Sequence, residues 1–359
     1  MITLFIKYFF CENFNKLPYL IYFSIISLFT SLFFSLIFGL YLIKILKKNK
    51  IYQTIRNCGP KTHYNKKNIP TMGGILILLS ITISITLWSN LSNIYIWYTL
   101  IILIGFGLVG FIDDYRKVYF KTSTGLPSKW KFLFLSVISI ISIIIIYYDN
   151  QNNFILQVIY PMNKNITINI GIIHVFLSYL ILVGTSNSVN LTDGLDGLAI
   201  VPIIFVTLGL YILSLISGNL HYAQYFNIIY IPNISELTIF CSAIIGSGLG
   251  FLWFNTYPAK IFMGDIGSLP LGGVIGIIAI LLHQEIIFCV MSGIFVIEAL
   301  SVIIQIVYFK LTKKKFFKMT PIHHHYELQD CPEPRLIVRV WIISLIFTLL
   351  GLILIFKVH

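Results

Sequence analysis

Residues 94–117 read IYIWYTLIILIGFGLVGFIDDYRK. The uncharged run 94–112 ends on two aspartates, followed closely by an arginine and a lysine. A helix needs about 20 apolar residues to cross the hydrocarbon layer of a bilayer. The run therefore reads as a membrane span, and DDYRK as its polar exit. Apolar stretches of this kind recur at about 19–43, 72–89, 94–112, 132–148, 172–189, 198–217, 237–254, 267–283, 286–309 and 336–356. Composition agrees, with 57% hydrophobic and 11% charged residues and a mean hydropathy of +0.89. An ordinary soluble domain is excluded. The expected fold class is all-α: a polytopic integral membrane protein of about ten transmembrane helices, organised as one domain over 1–359. No insertion between spans is long enough to fold alone.

Orientation follows from lysine and arginine, which concentrate in cytoplasmic loops. Eight lie between 44 and 71, five between 113 and 131, one between 255 and 266, and seven between 310 and 339, together 21 of the 25. The alternate gaps hold none, or only Lys164. Both termini are therefore expected outside. The cytoplasmic loops are expected at about 44–71, 113–131, 190–197, 255–266 and 310–335. The net charge of +12 is explained by this topology. It is divided among loops rather than gathered into one stripe, so nucleic acid is not an expected partner. No removable signal peptide is read at the start, and MITLFIKYFF (1–10) is expected to lie along the interface. In the outer loop 149–171, the alternating ITINI predicts a short hairpin strand. The cysteines at 11, 58, 241, 289 and 331 lack metal-ligand spacing and are expected to be packing residues.

Glycines mark close helix contacts. Gly105-Phe-Gly-Leu-Val-Gly110 matches the dinucleotide pattern GxGxxG, but it lies inside a span with no preceding strand. Helix packing is the expected role there, as it is for Gly246-Ser-Gly-Leu-Gly250.

Since charge is scarce, the acids at the loop mouths carry information. Asp113 and Asp114 are expected at the C-terminal end of the third span, where the helix dipole disfavours carboxylates. Neighbouring helical residues point about 100° apart, so two roles are expected rather than joint ligation of one metal. Asn190, Asp193 and Asp196 sit in NLTDGLDG, where Gly194 and Gly197 permit tight turns; the two aspartates could face one site. Asp265, in FMGDIGS, is expected to cap the eighth span or to bind a metal. Carboxylates beside phosphate suit Mg²⁺, which takes oxygen ligands and keeps several waters. His323, His324 and His325 lack zinc spacing and suit hydrogen bonds to phosphate or sugar oxygens. Lys66, Lys67, Lys117, Lys121, Lys129 and Lys131 supply positive charge on the same side. Glu298 and Gln305 share one face of the ninth span. An ionisable group there marks function or a structural pairing with another helix.

Taken in order, PTMGG (70–74), DDYRKV (113–118), TSNSVNLTDGLDGLA (185–199), WFNTYPAKIFMGDIGSL (253–269) and PIHHHYELQDCPEPR (321–335) resemble the phospho-N-acetylmuramoyl-pentapeptide-transferase family, within the polyprenyl-phosphate N-acetylhexosamine-1-phosphate transferase superfamily. The resemblance covers nearly the whole chain. It implies ten spans with outside termini, residence in the bacterial inner membrane, and an active site on the cytoplasmic face. It also implies Mg²⁺-dependent transfer of phospho-MurNAc-pentapeptide from UDP-MurNAc-pentapeptide to undecaprenyl phosphate, forming lipid I and UMP. The partners are then these two substrates and the bilayer, with a homodimer left open. By the same resemblance Asp113 activates the lipid phosphate and Asp265 holds Mg²⁺, with Asp114 nearby. Asn190, Asp193 and the three histidines join the catalytic set. Lys66, Thr71, Gly194, Asp196, Asn255, Phe262 and Gln305 line the nucleotide site, joined in substrate binding by Lys117 and Lys131. Phe262 would stack on uracil. The family usually has Gly-Thr before PTMGG, where this chain has Asn68-Ile69. Direct transfer and a two-step route through an aspartyl phosphate are both compatible with these residues. A related transferase of other polyprenyl-linked sugars would share the aspartates but differ in the last cytoplasmic loop. A transporter would instead place its site near the midplane and show an internal repeat.

Overall fold

The computed structural model describes residues 16–53, 66, 68–121, 124–149, 157–159, 167–169 and 171–356. The expected interfacial helix at 1–10, and Cys11, Cys58 and Lys67, lie outside these residues. The chain is a bundle of α-helices: α1 (Lys16–Lys48), α2 (Gly74–Trp88), α3 (Ile94–Phe120), α4 (Ser128–Asp149), α5 (Ile172–Thr192), α6 (Ile200–Ser217), α7 (Leu220–Tyr225), α8 (Leu237–Asn255), α9 (Asp265–Leu281), α10 (Glu285–Met291), α11 (Gly293–Thr312), α12 (Ile322–Glu327) and α13 (Glu333–Phe356). Among the described residues, eight helices are long and apolar enough to cross a membrane, and α2 and α9 are shorter apolar helices. All ten predicted stretches are thus helical. The ninth is not one helix, because it breaks at Ser292 into α10 and α11. The predicted hairpin is present: β1 (Gln157–Ile159) pairs antiparallel with β2 (Thr167–Asn169), Val158 opposite Ile168.

Every residue of α9 is buried. It packs against α3, α5, α2 and α6 and forms the axis of the bundle. α8 lies between α1 and α6, while α4 and α11 turn broad apolar faces outward, as lipid-facing helices do. The α1–α8 seam is close because a Cβ at Gly246 would overlap the Leu28 carbonyl, and one at Gly250 would meet Ser35. Hydroxyl pairs also tie α1 to its neighbours: Ser27–Ser84 at 2.9 Å and Ser35–Ser80 at 2.7 Å to α2, and Ser24–Thr238 at 3.1 Å to α8. Bonds of this sort join helices where water cannot compete.

α3 does not stop where its apolar stretch stops. It runs on to Phe120 and ends at Lys121, whose φ of 51° is left-handed. Asp113 and Asp114 therefore sit inside the helix, contrary to the expected C-terminal position, and their backbone groups are those of a continuing helix. Helices end at caps rather than where hydrophobicity ends, which explains the difference.

Candidate active site

The three acidic segments meet at one end of the bundle because backbones can touch there. A Cβ on Gly110 would collide with the backbone of Asp265 and Ile266, and one on Gly74 with that of Gly267. The last glycine of the GxGxxG run is thus a packing residue. It brings α3 against the head of α9 one turn before Asp113 and Asp114. The 70–74 segment is strapped to the 262–263 segment by Phe262 N–H to Pro70 O (2.9 Å), Gly73 N–H to Phe262 O (2.8 Å) and Gly74 N–H to Met263 O (2.8 Å). Gly264, with φ of 75°, is the N-cap of α9. Asp265 is not the cap, as expected from sequence, but the first helical residue. A glycine at the cap leaves the Asp265 carboxylate free to face the other loops.

That carboxylate is the hub. Its Oδ2 takes Lys131 Nζ at 2.6 Å and Lys117 Nζ at 3.0 Å, and its Oδ1 accepts from Asn190 Nδ2 at 2.8 Å. Asn190 also donates to Ser268 Oγ at 2.8 Å. Lys117 reaches Asp113 Oδ2 at 2.5 Å and Asp114 Oδ1 at 3.4 Å. The remaining oxygens are held by backbone: Leu126 N–H donates to Asp113 Oδ1 (2.8 Å) and Ile266 N–H to Asp114 Oδ2 (3.0 Å). One oxygen from each of Asp113, Asp114 and Asp265 lies within 4.8 Å of the others. Asp113 and Asp114 thus reach one site, where two roles rather than joint ligation of a metal were expected. Their Cα atoms diverge, but both side chains bend toward the head of α9. Three carboxyl groups beside two ammonium groups make a pocket of hard oxygen donors.

A second group lies around the NLTDGLDG turn. Lys66 pairs with Asp196 Oδ1 at 2.6 Å and Glu333 Oε1 at 2.5 Å, and its Nζ stands 5.9 Å from the Tyr257 ring centroid. Burial works against the Lys66 charge, but the bonds from Asp196 and Glu333 outweigh it and raise its pKa above that of an ordinary lysine. Asp196 Oδ2 accepts from Ala259 N–H at 2.9 Å. Asn255 staples two loops, accepting from Gly197 N–H (3.0 Å) and donating to Ile261 O (2.8 Å). Asp193 and Asp196 therefore face different partners. Burial of Asp193 outweighs the Gly264 backbone N–H, which favours its charged form. Desolvation, then the charges of Asp265, Asp114 and Asp196, push its carboxyl up to about 8. It is mostly protonated at neutral pH and adds little negative charge.

The three histidines do not converge. His323 is buried, bonds Glu298 Oε2 through Nδ1 at 3.1 Å, and turns Nε2 toward Gly194. The intramembrane Glu298 is thus paired with another helix. His324 meets Glu327 at 2.6 Å, and His325 accepts from Lys318 N–H at 3.1 Å. Gln305 Oε1 accepts from Phe316 and Phe317 N–H, so it orders the loop after α11. Thr71 is buried beside Gly264, and Phe262 is partly exposed. Two participants were not predicted. Glu333 could have been suspected as one of three acids, with Glu327 and Asp330, in a basic loop, but Ser268 carried no signal.

A buried nest of carboxylates and lysines at one end of a membrane bundle defines a membrane-embedded enzyme that handles anionic groups. Comparison with known proteins narrows the class. Residues 96–283 match Glycosyl transferase family 4, and residues 66–78 match phospho-N-acetylmuramoyl-pentapeptide-transferase signature 1. A phospho-N-acetylmuramoyl-pentapeptide-transferase of Buchnera aphidicola subsp. Baizongia pistaciae is 62% identical over 93% of this chain and 98% of its own length. One from Buchnera aphidicola subsp. Acyrthosiphon pisum (strain 5A) is 56% identical over 95% of this chain and 96% of its own. The chain belongs to the phospho-N-acetylmuramoyl-pentapeptide-transferase family, and it is a glycosyl-1-phosphate transferase.

Proposed function

We propose that this chain transfers phospho-MurNAc-pentapeptide from UDP-MurNAc-pentapeptide to undecaprenyl phosphate, forming lipid I and UMP, at the cytoplasmic face of the bacterial inner membrane. The observation that carries this is the convergence of Asp113, Asp114 and Asp265 with Lys117 and Lys131. An acceptor phosphate oxygen bonds to the sugar-side phosphorus of the donor pyrophosphate. The bond from that phosphorus to the bridging oxygen breaks, and UMP leaves. Both reactants are anions, so the main task is to hold them together.

The carboxylate nest fits Mg²⁺, with Asp265 as ligand and Asp113 and Asp114 beside it. When bound, the ion neutralises pyrophosphate charge and stabilises the leaving phosphate. Lys117 and Lys131 lie within ion-pair reach of Asp265 and supply positive charge where the phosphates meet. Asp113 takes the proton of a monoanionic acceptor and orients it. The second pKa of such a phosphate is about 6, so the demand on a base is small. Asn190 fixes Asp265 through its amide, and Asp193 contributes a polar carboxyl group at the same wall. Lys66, Thr71, Gly194, Asp196 and Asn255 form the nucleotide side, where Phe262 stacks on uracil. His323, bonded to Glu298 and packed against Gly194, positions the NLTDGLDG turn, and His324 and His325 order their own loop through Glu327 and Lys318. Gln305 supports the loop that closes this side.

The test uses the protein in lipid vesicles with undecaprenyl phosphate and Mg²⁺. UDP-MurNAc-pentapeptide should give UMP and a lipid-linked product, and UDP-GlcNAc should give neither. Equal or faster turnover of UDP-GlcNAc would overturn the assignment in favour of a related sugar-phosphate transferase.

A further inference from the structure

The end of the bundle away from the carboxylate nest holds a second convergence of metal-binding side chains. His174 lies in the first turn of α5, and His283 and Glu285 flank the joint between α9 and α10. α5 and α9 run side by side in opposite directions. They are linked at one end by Asn190 and Asp265, and at the other by His174 Nε2 and Glu285 Oε1 at 2.9 Å. A ring nitrogen from each histidine and one Glu285 oxygen lie within 4.8 Å of one another. All three residues are buried, at 1%, 9% and 4% exposure for His174, His283 and Glu285. The two rings are 6.3 Å apart between centroids, tilted by 32°. Two of the polar atoms here, His283 Nδ1 and Glu285 Oε2, are buried with no hydrogen-bond partner among the described residues. Buried polar atoms are otherwise almost always satisfied. A plain His174–Glu285 pair accounts for neither atom.

We propose that His174, His283 and Glu285 form a binding site for a divalent transition metal of the zinc class, tethering the head of α5 to the joint between α9 and α10. Two imidazoles and one carboxylate are a known zinc donor set, leaving a fourth position for water. Zinc sits about 2.0–2.1 Å from each ligand, which places tetrahedral ligand atoms about 3.4 Å apart. That spacing falls between the 2.9 Å of the His174–Glu285 contact and the 4.8 Å outer limit. Binding would give the two orphaned atoms a function. Imidazole suits zinc, copper and nickel, whereas an all-oxygen nest suits magnesium. The two ends of α9 would therefore sort metals by ligand hardness. The 17 residues of α9 hold the sites roughly 25 Å apart, so each can be removed without touching the other.

The test is made on the whole protein in nanodiscs, stripped with chelator, exposed to micromolar Zn²⁺ and desalted. Metal analysis should find near-stoichiometric zinc in the wild type and in Asp265→Asn, and at least a tenfold loss in His283→Ala and Glu285→Gln. Transfer activity of His283→Ala should stay within twofold of wild type. Titration of the stripped wild type with Co²⁺ should give a visible band of low-coordinate cobalt with nitrogen and oxygen ligands. That readout does not depend on any variant folding. Absence of both zinc and the cobalt band in the wild type overturns the proposal. So does zinc that persists in both variants, or a cobalt spectrum showing thiolate ligation.

Discussion

At the scale of single residues, Asp265 and Lys117 each hold three partners at the site, and replacement of Asp265 is the sharpest test. Asp265→Asn keeps the shape but leaves Lys117 and Lys131 short of a counter-charge and removes the proposed metal ligand. Turnover at saturating Mg²⁺ should fall below roughly a tenth of wild type, as loss of an anionic ligand weakens charge stabilisation in the transition state. The protein should still insert in the membrane, which gel filtration in detergent can check. Asp113→Asn separates two chemistries. If Asp113 only relieves the acceptor of a proton, raising the pH restores part of the rate, levelling above the second phosphate pKa of about 6. If Asp113 is a covalent nucleophile, no pH restores it, because an amide cannot take its place. The first result is expected. A phosphorylated Asp113 trapped with donor alone would contradict it.

At the scale of elements, the site depends on how closely α3 and α9 approach. Gly110→Ala places a methyl group against the Asp265 backbone, which cannot yield without moving the carboxylate. Overpacking of this sort costs about 1–3 kcal/mol. Gly110→Ala should lower both thermal stability and turnover, the latter by more than tenfold. Gly105→Ala meets only the Ile138 side chain, at 3.0 Å, and should keep most activity. Comparing the two variants in one assay separates backbone contact from ordinary crowding. The elements themselves were largely legible in the sequence, since ten apolar stretches announce ten helical segments. What was hidden were the ends and breaks. The stretch 286–309 is apolar apart from Glu298, Gln305 and two serines, and only Ser292-Gly293 marks the break between α10 and α11. The extension of α3 past Asp114 was hidden because a left-handed Lys121, not polarity, ends it. The aspartates were legible as acids beside spans. Their convergence, and the bonds among Lys66, Asp196 and Glu333, depend on contacts across more than a hundred residues and leave no local pattern.

At the scale of the whole molecule, the distribution of lysine and arginine fixes the expected orientation. In a background without native cysteines, Asn163→Cys should react in intact cells with a thiol reagent that cannot cross the membrane, and Lys314→Cys should not. The reverse labelling pattern would turn the protein over and move its site to the other face. Within that frame, the shortness of the two central helices has its own consequence. α2 and α9 have 15 and 17 residues, roughly 22 and 25 Å of helix against a hydrocarbon layer of about 30 Å. Both begin at the carboxylate nest, so with their far ends at the outer interface the nest is expected at or just below the level of the lipid headgroups. A long-chain phosphate then reaches it by lateral drift, as a two-dimensional search, without lifting out of the leaflet. Encounter frequency depends on surface density rather than bulk concentration. Diluting undecaprenyl phosphate with inert phospholipid, at constant total amount, should slow turnover in proportion to its falling mole fraction.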